Sequence, residues 1–166
     1  LESETDELVK NDIIPNVYMT EFAKALSDSA VKLKKTVKVH IKLDTGMSRI
    51  GFPITDGDNS SVIEEIFEIS KLPMLEIEGI FSHFATSDDA SEEYTHLQFK
   101  RFMSVCDELK SRGLDIPIKH ICNSAGSLSL DEQFDMVRLG LVMYGLYPDP
   151  CVNDGTVNLK PAMKIV

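Results

Sequence analysis

The sequence predicts an α/β fold built around a parallel β-sheet. Short apolar runs alternate with amphipathic helical patterns, the runs recur about every 30–40 residues, and polar residues gather where the runs end. This alternation is typical of successive βαβ units, whose strands lie parallel. An open doubly wound sheet and an eight-stranded (β/α) barrel both satisfy these observations, and periodicity alone does not distinguish them.

Five strand-like runs are predicted along the chain. They cover residues 13–19, 37–43, 75–84, 118–122 and 136–143. The second run alternates most clearly, because its odd-numbered residues are apolar and its even-numbered residues are polar. Such alternation is expected of a strand that turns one face to a core. The last run is rich in apolar and β-branched residues, which favours a buried strand.

Three helices are predicted between these runs. The first covers residues 20–35, with Thr20 as its cap, and the third covers residues 91–112. The second begins at a capping box, Ser61–Glu64, and ends before Pro73. Each helix therefore connects two strand-like runs, as a crossover in a parallel sheet requires.

The composition excludes several classes of protein. The chain has 166 residues, of which 43% are hydrophobic and 27% are charged, a balance typical of folded globular proteins. No apolar run approaches the ~20 residues of a membrane-spanning helix. The net charge of −10 opposes binding to phosphate backbones and to anionic lipid surfaces, so neither nucleic acid nor a membrane is an expected partner.

Cysteine and histidine usage argue against disulfide and metal sites. The three cysteines are too few and too widely spaced for a disulfide framework, which favours reduced thiols and a cytoplasmic location. The four histidines come from separate segments without the spacing of a metal motif, so no metal is expected.

Four motifs place polar residues where predicted strands end. They are KLDTGMSRIGF (42–52), GIFSHFATSDD (79–89), HICNSAGSL (120–128) and MVRLGLVMYGLYP (136–148). Arg49 has the planar fork that suits a carboxylate or phenolate oxygen, but a surface salt bridge would also explain it. His83 is either a general base, ligand or stacking partner, or a hydrogen-bonded structural histidine. The small residues around Ser124 suit a phosphate or a simple helix cap. Arg138 lies in an apolar run, so it requires a partner.

Taken together, the four motifs closely resemble those of the alanine racemases, which are pyridoxal-phosphate enzymes of fold type III. Their order and spacing match from about residue 12 to the end of the chain. The resemblance implies a partial (β/α)8 TIM barrel, about strands four to eight, because a closed barrel takes ~250 residues. It assigns residues 1–147 to the barrel and residues 148–166 to a linker and the start of a C-terminal β domain that lies outside this sequence.

The resemblance also implies roles for individual residues. Arg49 is similar to the arginine that hydrogen-bonds the cofactor's phenolic oxygen and helps to place the substrate carboxylate. Lys42 is similar to a lysine that is carbamylated in many members and holds that arginine. His83 is similar to the histidine behind the cofactor ring that hydrogen-bonds a second arginine. Arg138 is similar to that second arginine, which contacts the pyridine nitrogen, where many pyridoxal enzymes have a carboxylate instead.

The remaining implied residues concern the phosphate and proton transfer. Ser124, with the backbone N–H groups of Gly140 and Leu141, is similar to the family's phosphate cup. The lysine that anchors the cofactor and the tyrosine that completes proton transfer have no counterpart in this sequence. We therefore expect this segment alone to contain no catalytic residue and to be inactive.

The function implied for the parent protein is that of an alanine racemase, an isomerase. It would interconvert L- and D-alanine with pyridoxal 5'-phosphate as cofactor, supply D-alanine for peptidoglycan precursors, and work as a homodimer. Two alternatives remain open at this stage. One is a serine or broad-specificity racemase of the same fold, and the other is a non-catalytic barrel protein that binds pyridoxal phosphate.

Overall fold

Parallel strands and α-helices alternate in the computed structural model of the chain, which describes residues 4–152 and 155–163. The strands are β1 (Asn16–Val17), β2 (Val37–Asp44), β3 (Phe52–Pro53), β4 (Leu75–Phe81) and β5 (Ile118–His120). The helices are α1 (Thr5–Lys10), α2 (Thr20–Leu33), α3 (Ser60–Ser70), α4 (Glu93–Ser111) and α5 (Gly126–Ser129), and two 3-10 turns cover Leu141–Tyr144 and Pro150–Val152. Within the described residues, no helix is both long and apolar enough to cross a membrane.

The order of the strands distinguishes the two predicted architectures. The main sheet has the order β1-β2-β4-β5, all parallel, and the short β3 pairs with the end of β2 through Leu43 and Phe52. Neighbours in the sheet therefore follow one another in the chain, as in a barrel, whereas a doubly wound sheet reverses its order at a switch point. The fold is an arc of a parallel (β/α) barrel.

Strand β2 shows how the sequence produces this sheet. Its odd-numbered residues from Val37 to Leu43 are almost fully buried in the hydrophobic core, and α2 packs against both β2 and β4. Its even-numbered residues lie on the opposite face, and among them Lys42 is 3% exposed. The alternation predicted from sequence is confirmed, and it leaves a polar face on which a site can form.

Both predicted helix caps are wrong. Helix α2 has Met19 as its N-cap, while Thr20 lies in the first turn and donates a 2.5 Å hydrogen bond to Glu65. Helix α3 begins at Ser60, so Ser61 lies inside it and forms no capping box. Asp58 accepts the N–H of Ser60 at 2.8 Å, and this local turn starts the helix before the predicted position.

The predicted strand over residues 136–143 is also wrong. The segment is irregular up to Gly140 and then forms the 3-10 turn Leu141–Tyr144. Two backbone hydrogen bonds join this part of the chain to β5 and the residues after it: the N–H of Asp135, just before the segment, donates to Lys119, and the N–H of Arg138 donates to Cys122. In the described part of the chain no strand pairs with the other side of the segment. A β-rich composition does not make a strand without a ladder on which to align.

Candidate functional site

Arg138 is the centre of the polar cluster at the ends of the strands. Its Nη1 lies 2.5 Å from Nδ1 of His120, and its Nη2 donates to the carbonyl oxygen of Ser82 at 2.7 Å and to Nδ1 of His83 at 3.1 Å. No carboxylate in the described residues pairs with this guanidinium. The sequence predicted that Arg138 needs a partner, and its partners are two imidazoles and backbone carbonyls.

The electrostatics of the cluster favour an anion. Burial lowers the pKa of Lys42 to about 8; Asp44 opposes this shift, while Arg138 and Arg49 add to it. Burial also lowers the pKa of His83 to about 4, and the same three cations contribute. Three positive side chains therefore face a neutral histidine, with Asp44 as the carboxylate that counters them at Lys42. A phosphate, phenolate or carboxylate group would relieve this repulsion.

Arg49 lies at the rim of the cluster, on the loop that follows β2. Asp44 shapes this loop, because its Oδ1 accepts the N–H groups of Gly46 at 3.0 Å and Ser48 at 2.9 Å. The Arg49 side chain is exposed and makes no hydrogen bond with the described residues, yet it is near enough to influence His83. It is thus free to bind a ligand carboxylate.

Helix α4 holds this loop in place through residues that the sequence analysis missed. Tyr94 donates to the carbonyl oxygen of Gly46 at 2.9 Å, and Arg101 donates to that of Thr45 at 2.9 Å. Gln98 is fully buried and donates to Thr45 Oγ1 at 3.2 Å and to the carbonyl oxygen of His83 at 3.1 Å. The three helix residues are spaced by four and three, which puts them on one face. That spacing was the available signal, but a polar helix face is usually solvated.

Gln98 offers a test of whether helix α4 holds the loop after β2 in place. The change Gln98→Leu is expected to lower the free energy of unfolding by about 2–4 kcal/mol, because it leaves buried polar partners unsatisfied, including the N–H of Ala85. Denaturant unfolding measures the change. Gln133→Leu is the matched control, since Gln133 is only half-buried and bonds to a local carbonyl, and its cost should stay below about 1 kcal/mol. Equal losses in the free energy of unfolding for the two variants would contradict the role of Gln98 in holding the loop.

The residues predicted to bind phosphate form a second group beside Arg138. Ser124 is buried, and its Oγ accepts the N–H of Gly140 at 2.8 Å. A Cβ built on Gly140 would meet only Ser124 Oγ, at 3.6 Å, so this backbone is open to an approaching ligand. Leu141 begins the following 3-10 turn. The Gly140 N–H is thus occupied by Ser124, and the group left to donate to a phosphate oxygen is the Ser124 hydroxyl.

The structure therefore brings together Lys42, His83 and Arg138, places Arg49 at the rim, and sets the phosphate group alongside. His120 is the nearest partner of Arg138, although it is not among the site residues predicted from the sequence. The second ring nitrogen of His120 contacts another strand of the sheet, since Nε2 lies 2.8 Å from Nδ1 of His40 on β2. Among residues 4–152 and 155–163, no group of histidine, cysteine or acidic side chains is arranged to hold a metal ion.

Comparison with known proteins gives a consistent picture. The chain matches the family model for the alanine racemase N-terminal domain over residues 1–148. It is 48% identical to an alanine racemase of Clostridium tetani over 158 residues, which is 95% of this chain and 40% of the relative. It is 44% identical to an alanine racemase of Methanococcus maripaludis over 165 residues, which is 99% of this chain and 43% of the relative.

The solved structures agree with the sequence matches. An alanine racemase of Clostridium difficile 630 in complex with cycloserine superposes with a TM-score of 0.90 and 36% sequence identity. The match covers 97% of this chain and 43% of that protein. The chain thus spans less than half the length of the relatives it matches.

Proposed function

The chain belongs to the alanine racemase family, and from this membership we propose that it forms the cofactor- and substrate-positioning part of an enzyme that interconverts L- and D-alanine. The observation that carries the proposal is the environment of Arg138, a donor-only guanidinium held by two neutral histidines without a carboxylate. A solved relative is in complex with cycloserine, which supports a small-molecule site in this family.

The residues present fit pyridoxal phosphate as the cofactor. The cations Lys42, Arg49 and Arg138 leave an excess of positive charge, which an anionic ligand would balance. The Gly140 N–H donates to Ser124 Oγ, which leaves the Ser124 O–H to donate to the cofactor's phosphate. When bound, pyridoxal phosphate supplies an electron sink for the negative charge that develops at Cα of the substrate.

Each residue of this chain then has a definite task. Arg138 has no proton acceptor to offer, so it would keep a ring nitrogen that faces it unprotonated. That weakens the electron sink and limits side reactions such as transamination, which suits simple racemisation. Arg49 would bind the substrate carboxylate through its planar fork. Racemisation further needs a base and an acid on opposite faces of Cα, and none of the four motifs contains them.

The test is carried out on the whole enzyme that contains this sequence. It should absorb light near the visible edge through bound pyridoxal phosphate and interconvert L- and D-alanine in a cytoplasmic, homodimeric form. Absence of that absorbance would refute the cofactor, and racemisation of serine in preference to alanine would refute the substrate. Residues 1–166 alone, supplied with pyridoxal phosphate, should not racemise alanine, and turnover would show that they contain the proton-transfer groups.

We propose in addition that Lys42 is the site of carbamylation. Carbamate forms from a neutral amine, and a pKa of about 8 leaves roughly a tenth of Lys42 neutral at pH 7, against well under a thousandth for an ordinary lysine. Modification converts the buried cation into an anion beside Arg138 and Arg49, so repulsion becomes attraction. Lys42 itself donates to the carbonyl oxygen of Leu43 at 2.6 Å, and no carboxylate within the described residues forms a salt bridge with it.

This proposal predicts a pH-dependent NMR signal. Protein incubated with 13C-labelled bicarbonate should show one carbamate carbon resonance that grows as pH rises from 7 towards 8, since the neutral fraction of Lys42 increases. The resonance should disappear in Lys42→Gln and persist in Lys24→Gln, a change at an exposed lysine. A resonance that survives Lys42→Gln would assign the carbamate elsewhere, and none in the unaltered protein would refute the modification.

A further inference from the structure

A chain of side chains leads from Arg138 across the sheet. His120 Nδ1 lies 2.5 Å from Arg138 Nη1, and His120 Nε2 lies 2.8 Å from His40 Nδ1. His40 Nε2 in turn lies 3.4 Å from Oε2 of Glu78, and the other carboxylate oxygen, Oε1, accepts a 2.6 Å hydrogen bond from Lys38. Arg138, His120, His40 and Glu78 therefore form one continuous line of contacts. Three of them come from the strands β5, β2 and β4, and Arg138 comes from the irregular segment after β5.

The chemistry of the groups gives this line a single direction. Arg138 can only donate, so Nδ1 of His120 must accept and its proton must be on Nε2. That Nε2–H donates to His40, so Nδ1 of His40 also accepts and its proton is on Nε2, where it faces Glu78. The line begins at a group that only donates and ends at a carboxylate that only accepts. Both imidazoles are then neutral with the same tautomer.

The opposite assignment fails for the same reason. A protonated His40 would carry a proton on both nitrogens, and its Nδ1–H would then face the proton on Nε2 of His120. His120 would have to move its proton to Nδ1, where it would oppose the N–H of Arg138. Among the described residues, the charged and aromatic groups that contact the two imidazoles, apart from each other, are Arg138, Glu78 and Phe81. Of these, only the Glu78 carboxylate can accept a hydrogen bond and so stabilise the arrangement in which both imidazoles carry their proton on Nε2.

The backbone is built to bring Glu78 to His40. The pairing of β2 with β4 shifts between Val39, which pairs with Ile77, and His40, which pairs with Gly79. Glu78 is thus the extra residue of a β-bulge, a feature that often redirects side chains near functional sites. A Cβ on Gly79 would lie 2.5 Å from the His40 ring, so the glycine makes the space that this ring occupies.

The His120 ring is fixed on its flat side as well. Phe81 stacks on it with a centroid distance of 4.7 Å and an angle of 7° between the planes. His120 is only 3% exposed. The imidazole therefore has little freedom to rotate, and its tautomer determines whether it meets Arg138 as an acceptor or as a donor.

We propose that His40 and Glu78 are positioning residues for Arg138, and that they act by fixing His120 as a neutral acceptor. Glu78 holds the proton of His40 on Nε2, His40 thereby accepts from His120, and His120 presents its unprotonated Nδ1 to the guanidinium. The catalytic consequence rests on the racemase function proposed above. The tautomers themselves do not depend on it.

Nitrogen-15 NMR of the histidine rings in the whole enzyme tests the tautomers directly. In the unaltered protein near neutral pH, His40 and His120 should both show an unprotonated Nδ1 and a protonated Nε2. Glu78→Gln should shift neutral His40 towards a mixture of its two tautomers, because the carboxylate no longer holds the proton on Nε2. Glu76→Gln removes the same charge from the same strand beside Lys38 without contacting His40, and it should change nothing. A protonated Nδ1 on His120 in the unaltered protein would overturn the proposal.

Kinetics test the consequence for Arg138. Glu78→Gln should lower kcat for alanine about tenfold, as expected for the loss of a hydrogen bond to a charged group, with little change in KM. His40→Gln should retain more activity than His40→Leu, because an amide can both accept and donate. If the unaltered enzyme does not racemise alanine, the proposed function fails while the tautomers remain testable. If the unaltered enzyme racemises alanine, and Glu78→Gln gives the same histidine tautomers and the same kcat as Glu76→Gln, then His40 and Glu78 do not position Arg138.

Discussion

Replacing Arg138 with glutamate is expected to lower alanine racemisation in the whole enzyme by roughly 10²–10³-fold and to raise the share of turnovers that end in transamination. The change reverses the charge at the centre of the cluster. It substitutes an acceptor for a group that now donates to Ser82, His83 and His120. A carboxylate in this position favours a protonated ring nitrogen and therefore a stronger electron sink.

Two further variants separate charge from geometry. Arg138→Lys retains the positive charge but loses the planar fork that reaches both histidines. Its activity should therefore fall between that of the unaltered enzyme and that of Arg138→Glu. Arg112→Glu is the control for charge reversal, because Arg112 lies at the end of α4 and pairs with the surface residues Glu64 and Glu108. Product analysis gives the ratio of racemised to transaminated alanine. An unchanged ratio in Arg138→Glu would refute the electronic role assigned to this arginine.

Replacing Gly51 with alanine is expected to lower the free energy of unfolding by about 3–5 kcal/mol, the largest effect on stability that we predict for one methyl group. Gly51 has a φ of +132°, which side chains rarely adopt. An added Cβ would lie 2.5 Å from the backbone nitrogen of Asp44 and 2.6 Å from the carbonyl carbon of Leu43. Neither atom can move without disturbing β2, which carries Lys42.

Gly113→Ala separates the two costs. Gly113 also has a positive φ, of +95°, but nothing lies within 4 Å of its added Cβ. Its replacement should cost only the conformational strain, about 1–2 kcal/mol. Denaturant unfolding of both variants gives the difference, and equal losses would show that the contact with β2 is unimportant. Because Arg49 is two residues from Gly51, the Gly51→Ala variant should also bind pyridoxal phosphate more weakly than the unaltered enzyme.

The motifs predicted much of the site because each keeps its chemistry within a few residues of a strand end. The motifs and their resemblance pointed to Lys42, His83 and Arg138 as candidates, and the structure brings the three side chains together, while their roles stay predictions. The buried face of β2 followed from alternation alone, since successive side chains in a strand point to opposite faces. The caps of α2 and α3 could not be predicted as reliably, because neighbouring turns and Glu65 competed for the same groups.

What the sequence could not show is which strands are neighbours and which side chains meet between them. The contact of His40 with His120 joins residues 80 positions apart, and that of Gln98 with Thr45 joins residues 53 apart. Local periodicity contains no information about such pairs, because it reports only which face a residue occupies.

By itself the sequence determined the α/β class, the apolar face of the sheet and the chemical groups at the strand ends. The resemblance of the motifs also implied a partial barrel, which the strand order confirms. The tertiary structure alone decided which strands are neighbours, that His120 rather than His83 is the nearest partner of Arg138, and that residues 136–143 do not form a strand. The physical reason is common to all three. Strand order, imidazole tautomer and ladder formation each depend on a neighbour that is distant in the chain, and only folding brings that neighbour within hydrogen-bond reach.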